Sequence, residues 1–286
     1  MSLTAGSTKP LAETVTKAAV VTHGKAAQIG PALERLQKVA ADAQVDLLLG
    51  DEEAAKHGLG PPSDDTAADI AVVLGGDGTM LRALTRFLGT GVPVIGVNFG
   101  RVGFLSSIAP SELETGLTRV FAGDYVVCEL PTLEVETETE RRVAVNDAVV
   151  ASALLGRMVE LEWAVGGEDL GRQPCDGIIC STPSGSTAYN LSNGGPVLMW
   201  GLDAMAITFV APHSLHARPL VVSRGRDVVV CNRTPDVPTS VLVDGHHVAE
   251  IRPRSPVVVR LGPGRSLLAT LPEVTFTHRY RSNFAA

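Results

Sequence analysis

A short apolar run, Ile70 to Leu74, passes without a break into Gly75-Gly76-Asp77-Gly78-Thr79. The run reads as a buried strand, and a helix is expected to start near Thr79. Glycines at that junction let the backbone approach a ligand closely and adopt conformations closed to other residues. The free N–H groups and the dipole of the following helix point at the same spot, which suits phosphate. Such loops lie at the carboxyl ends of parallel strands. A carboxylate in the middle of an anion site is the informative oddity. Asp77 would repel phosphate unless it holds a metal, binds a hydroxyl or takes its proton. A tight strand–helix turn with a solvated aspartate is the alternative. The spacing is not that of the GxGxxG dinucleotide fingerprint.

The surroundings fit a parallel sheet. Strand-like runs at Ala18–Thr22, Val45–Leu49, Ile70–Leu74 and Val92–Val97 alternate with helical stretches. Pro31 to Ala41 carries Leu33, Leu36 and Val39 on one face, and Ser111 to Phe121 follows Pro110. That alternation predicts a Rossmann-like α/β domain over residues 1–125. After Tyr125 the period changes to that of strands: Val126–Leu130, Leu133–Thr137, Val143–Ser152, Met158–Val165, Val257–Leu261 and Ser266–Leu271. Ser240–Val243 and Val248–Ile251 flank Asp244-Gly245, a tight-hairpin signal. A β-rich domain is therefore expected over 126–271, with residues 272–286 packing back on the first domain.

Composition narrows the function classes. The chain of 286 residues has 24 Lys and Arg against 31 Asp and Glu, a net charge of −7. An acidic chain has little electrostatic support for nucleic acid, and a polyanion would need local backbone donors, a few arginines or a bridging metal. No apolar run approaches the roughly 18 residues a membrane helix needs, and Thr4 to Lys17 lacks a secretory core. Cys128, Cys175, Cys180 and Cys231 form neither a CxxC pair nor a zinc pattern, so a reducing cytoplasmic setting is expected. The seven histidines make no HExxH motif, and no GxSxG elbow or GxxxxGK[ST] loop occurs. No protein metal site is read from the sequence.

Three further stretches could carry chemistry. Asp176 to Tyr189 reads DGIICSTPSGSTAY, a short strand leading into a Pro-Gly turn crowded with hydroxyls, with a short helix expected over Ser186–Gly194. Hydroxyls, N–H groups and one aromatic ring suit a purine or ribose pocket. A capped helix after a turn is the alternative. Asn146-Asp147 places two polar side chains amid apolar residues, where a bulge or turn is the other reading. Asn98 to Leu105, with Gly100 and Gly103, follows the fourth strand on the same edge as Asp77, and a plain crossover loop is equally natural.

Taken together, Gly75–Leu81, Asn98–Leu105, Asn146-Asp147, Asp176–Pro196 and Ala217–Val221 resemble the NAD kinase family. The GGDGT pentapeptide is shared in kind with phosphofructokinases and with diacylglycerol and sphingosine kinases. The STPSGSTAY segment separates NAD kinases from them. The resemblance implies phosphoryl transfer from ATP or polyphosphate to the adenosine-ribose 2′-hydroxyl of NAD, with Mg2+ on the donor phosphates. It also implies a site in the cleft between two domains of a cytoplasmic homodimer or homotetramer, with no nucleic-acid or membrane partner. Asp77 would be the catalytic residue. Gly76, Gly78 and Thr79 would line its loop. Asn146, Asp147 and Asp176 would contact NAD, while Ser184, Thr187, Ala188, Tyr189, Asn190, Leu191 and Ser192 would line the adenosine and ribose pocket beside Phe104. Arg82, Arg157 and His246 match positions that contact the dinucleotide in some members. Departures are Ser184 for a common threonine, Asn193 for a common alanine, and Pro174-Cys175 before Asp176, where the family varies with NAD or NADH preference. The competing readings are a catalytically silent nucleotide-binding regulator and a lipid or sugar kinase.

Overall fold

The computed structural model describes residues 14–24, 26–58, 61–100 and 103–284. Two compact units divide the chain, one comprising residues 1–129 and 266–286 and the other residues 130–265. The sequence texture places the divisions after residues 125 and 271. The compact units part instead inside two long strands.

The first unit is α/β. In chain order it contains β1 (Lys17–Thr22), α1 (Ala26–Asp42), β2 (Asp46–Leu48), α2 (Asp51–His57), β3 (Ile70–Gly75), α3 (Asp77–Arg86), β4 (Val94–Asn98) and α4 (Leu113–Phe121). Parallel pairing gives the order β2-β1-β3-β4, with Val20 beside Val72 and Val72 beside Ile95. Every residue of β3 is buried, as a central parallel strand covered on both faces requires. Its core joins Ile70, Val72, Leu74, Ile95 and Val97 to Leu33 and Leu36 of α1 and to Leu113, Leu117 and Phe121 of α4. Helix α1 starts before the expected Pro31 and encloses that proline, giving up one backbone bond. Helix α3 starts at Asp77, not Thr79, so the aspartate is the first helical residue.

The next strand, β5 (Val126–Glu136), leads into the second unit, which is built of antiparallel strands. These are β6 (Arg141–Ala144), β7 (Asp147–Ser152), β8 (Val159–Val165), β9 (Glu168–Cys175) and β10 (Gly177–Ser181). After α5 (Tyr189–Ser192) come β11 (Ala204–Val210), β12 (Leu220–Ser223), β13 (Val228–Asn232), β14 (Thr239–Val243), β15 (His246–Ile251) and β16 (Pro256–Thr270). One layer runs β12-β11-β10-β7-β14-β15, and the other carries β16-β13-β8-β9. Inward residues of both layers share one core, including Val150, Leu161, Ile178, Ile207, Val230 and Val241.

Several strands differ from expectation for identifiable reasons. Val257–Leu261 and Ser266–Leu271 read as separate strands, yet β16 runs from one into the other through Gly262-Pro263-Gly264. A Cβ at Gly262 would stand 3.0 Å from Glu134 Cγ and 3.1 Å from Thr132 Oγ1, so the glycine serves close approach to β5. The expected strand Val143–Ser152 breaks in two around Val145 and Asn146, whose N–H groups turn to a side chain. The helix expected over Ser186–Gly194 is only a 3-10 turn at Gly185–Thr187 followed by α5, interrupted at Ala188 (φ −101°, ψ −126°). The C-terminal α6 (Phe276–Phe284) belongs to the first unit.

Candidate functional site

In the first unit the site begins where β3 ends. The Phe99 N–H donates to Gly75 O (2.9 Å), drawing the loop after β4 against the loop after β3. A Cβ on Gly76 would meet Gly100 Cα at 3.3 Å, a tight fit for any side chain. The two loops border a cavity of about 490 Å³ whose lining includes His23, Gly75, Gly76, Gly78, Thr79, Arg82 and Gly100. Gly76, Gly78, Thr79 and Arg82 are thus brought together as expected of neighbours on one loop and helix. Arg82 is anchored at its back: it donates to Glu52 Oε1 (2.6 Å) and to Thr22 O (2.7 Å). Arg101 and Val102 of the second loop lie outside the described residues.

Asp77 is held by both carboxylate oxygens. The Phe104 N–H donates to Oδ2 (2.7 Å) and the Leu105 N–H to Oδ1 (3.2 Å). Burial raises its pKa above the ordinary carboxylate value, against the pull of those N–H groups and of the Arg279 charge. A carboxylate so placed is a fixed acceptor with strengthened basicity. Phe104 itself is 5% exposed. Its ring stacks on Phe284 (5.9 Å between centroids) and meets Phe276 edge-on (5.4 Å). Its backbone N–H holds Asp77 while its ring faces α6.

Arg279 was not legible in the sequence, since α6 has no strong apolar stripe to mark it. The guanidinium donates from Nη1 to Phe104 O (2.8 Å) and to Ser106 O, and from Nη2 to Thr270 Oγ1 (2.9 Å). Burial brings its pKa down to about 10, so it remains charged at neutral pH.

In the second unit the polar centre is built around Asn146. Its carbonyl accepts from Thr182 N (2.8 Å), and its side-chain Oδ1 accepts from Ser184 Oγ (3.0 Å). With the oxygen engaged, the amide NH2 has no partner among the described residues. The Asp244 carboxylate accepts from the N–H groups of Val145 (2.8 Å), Asn146 (2.7 Å) and Asp147 (3.1 Å). Asp244 sits at φ +50° in the β14–β15 turn, a conformation that aspartate tolerates better than most residues. The hairpin signal therefore conceals a second function, holding the Asn146 bend. Asp147 is 6% exposed, and burial together with the Asp244 charge lifts its pKa to about 7.

Most hydroxyls of the STPSGSTAY segment point inward. Thr182 Oγ1 donates to Val145 O (2.6 Å), and Ser186 Oγ donates to Pro183 O (2.7 Å) while accepting from Leu198 N (2.9 Å). Ser184 is buried against Asn146, whose amide it orients. Asn190 is 0% exposed. It donates to Ser186 O and Pro196 O (3.0 Å each) and accepts from Thr208 Oγ1 (2.7 Å), bonds that brace the segment from within. The outward residues are Tyr189 and Ser192, with Thr187, Ala188 and Leu191 half-buried. Asp176 is exposed between β9 and β10, its N–H donating to Val210 O (3.0 Å). His246 is exposed at the start of β15, where its charge opposes the rise of the Asp244 pKa. Arg157 stands on an exposed turn between β7 and β8, its N–H donating to Leu154 O (3.1 Å). Among the described residues no group of three or more His, Cys, Asp or Glu side chains is arranged to hold a metal, and no helix is long and apolar enough to cross a membrane.

Comparison with known proteins adds the following. Residues 11–125 match the ATP-NAD kinase N-terminal domain, and residues 145–271 match the ATP-NAD kinase C-terminal domain. The NAD kinase of Gemmatimonas aurantiaca is 39% identical over 227 residues, covering 77% of this chain and 78% of that protein. The NAD kinase of Symbiobacterium thermophilum is 36% identical over 275 residues, covering 91% of this chain and 95% of its own. Among solved structures, an NAD kinase from Archaeoglobus fulgidus in complex with ATP matches with TM-score 0.73 at 25% identity, covering 94% of this chain and 97% of that one. Yeast NADH kinase complexed with NADH matches with TM-score 0.81 over 96% of this chain and 89% of that one, a likeness of fold at 19% identity.

Proposed function

The chain belongs to the NAD kinase family, and from that premise we infer that Asp77 is the residue that meets the acceptor hydroxyl. The protein is an enzyme that transfers a phosphoryl group from ATP to NAD, giving NADP. Neither a silent regulator nor a lipid or sugar kinase is favoured by relatives that are NAD kinases over most of their length.

The observation that carries the assignment is the Asp77 carboxylate. It stands at the first residue of α3, fixed by two backbone N–H groups beside a glycine-lined cavity. A ribose hydroxyl is a poor acid, so full deprotonation before attack is not required. In a loose, in-line transition state Asp77 orients the 2′-hydroxyl and accepts its proton late. The new bond forms between the ribose 2′-oxygen and the γ-phosphorus, the β–γ bridging bond breaks, and ADP leaves. Free N–H groups at the start of α3, with Arg82 on the cavity wall, offer positive potential to phosphate. The remaining catalytic contribution is alignment.

The finer assignments are part of the same reading. Tyr189, Thr187, Ala188, Leu191 and Ser192 present the surface on which adenosine and ribose rest, and the Asn146 NH2 group supplies a donor. Ser184 and Asn190 support that surface from beneath. Asp147, Asp176, Arg157 and His246 extend the dinucleotide contacts. Magnesium would accompany the donor phosphates and offset their charge when bound. Among the described residues no three-ligand cluster is arranged to hold it. The enzyme works in the cytoplasm as a homodimer or homotetramer, with ATP as donor and polyphosphate as the alternative donor.

The test is NADP formation from NAD and Mg-ATP, followed with an NADP-specific dehydrogenase. Asp77→Asn is expected to lower the rate by roughly 100-fold or more, with NAD still bound. Wild-type turnover by a variant that binds NAD normally would remove Asp77 from the mechanism. The same assay with polyphosphate separates the two donors.

A further inference from the structure

We propose that Arg279, on the C-terminal helix, is a positioning residue for Asp77, clamping the 103–106 segment whose N–H groups hold the catalytic carboxylate. The inference rests on the assignment of Asp77 above.

The chain of contacts is short. Arg279 donates to the carbonyls of Phe104 and Ser106, and the N–H groups of Phe104 and Leu105 donate to the two oxygens of Asp77. One side of the segment thus grips the guanidinium, and the other grips the carboxylate. Two carbonyls taken by one planar fork fix the segment's orientation as a lysine could not. Thr270 fixes the fork in turn, accepting from Nη2 through its hydroxyl (2.9 Å). The aromatic contacts of Phe104 with Phe276 and Phe284 act on the same helix, so α6 holds the segment at backbone and ring together.

A buried guanidinium is a costly device for a turn that any neutral donor could satisfy. Arg279 is 3% exposed, and it also places a positive charge in the field of Asp77. Arg279 also lies in the field of Cys128 of β5, whose thiol burial keeps neutral. The Arg279 charge thus acts on Asp77 from helix α6. Its role is to keep the base ionised and aimed.

The experiment uses the full-length enzyme with Arg279→Gln and Arg279→Lys, each alone and combined with Asp77→Asn. Arg279→Gln is expected to lower kcat by up to roughly 100-fold, the size of effect that misplacing a reacting group brings. KM for NAD is expected to change little. The acid limb of the kcat–pH profile is expected to move to higher pH, because Asp77 loses its counter-charge. Arg279→Lys is expected to restore the limb but only part of kcat. In the Asp77→Asn background, Arg279→Gln is expected to have almost no further effect.

Should Arg279→Gln fail to fold, Thr270→Val releases the fork while keeping the side-chain volume, and a smaller shift of the same limb is expected. An unchanged limb in folded Arg279→Gln or Thr270→Val would overturn the proposal. So would a kcat loss that is equally large with Asp77→Asn, which would show that Arg279 acts elsewhere. Failure of the Asp77 assignment is read separately, from full activity of Asp77→Asn alone.

Discussion

The buried carboxyl of Asp147 makes stability depend on pH in an unusual direction. Most native carboxylates gain partners on folding and stabilise the protein above pH 4. Asp147 does the opposite, because burial and the neighbouring Asp244 lift it from 3.8 to about 7. A carboxyl raised on folding stabilises fully below its unfolded value, and that contribution is lost as pH climbs through the folded value. At about 1.36 kcal/mol per pKa unit, the whole excursion amounts to about 4 kcal/mol. Roughly 3 kcal/mol of it falls between pH 5 and pH 8, within reach of urea titrations at neutral salt. Asp147→Asn keeps the shape and the neutral form, so its stability should lack this slope. Asp244, also raised by burial, shares the titration, so the slope belongs to the pair. The measurement is the difference in unfolding free energy between wild type and Asp147→Asn, by far-UV circular dichroism across that range. The wild type is expected to fall progressively below the variant as pH rises. Parallel curves would show that the native protein accommodates the charge, and the reasoning from burial would be wrong.

Two further substitutions separate support from contact. A Cβ at Gly185 would stand 2.1 Å from the Asn146 carbonyl oxygen, a backbone atom that cannot step aside. Gly185→Ala is expected to lower stability by about 1–3 kcal/mol and to raise KM for NAD, while an unchanged melting temperature would refute the clash. Tyr189 is 46% exposed, so Tyr189→Ala should alter stability by less than about 0.5 kcal/mol. If adenine rests on that ring, the loss of stacking should raise KM for NAD roughly tenfold. An unaltered KM would remove Tyr189 from the proposed adenosine surface.

The residues themselves determined the class of the protein, because local pattern and local chemistry agree there. A run of five apolar residues followed by Gly-Gly-Asp-Gly-Thr can scarcely be anything but a buried strand delivering an aspartate to a helix start. The Asp244-Gly245 turn is likewise written in two residues, since few others accept φ +50° and +78° in succession. Long-range ties are not written that way. Nothing between Asn98 and Leu105 announces that its N–H groups will take the Asp77 carboxylate. Nothing in the polar C-terminal helix announces that Arg279 will hold that segment from behind. The hydroxyl-rich segment suggested a pocket lined with serines and threonines, because composition records which donors exist but not which way they face. Only tertiary structure turned Ser184 and Asn190 inward and left Tyr189 and Ser192 outside. A polar side chain takes the partner that burial leaves within reach, and that partner is set by segments dozens of residues away.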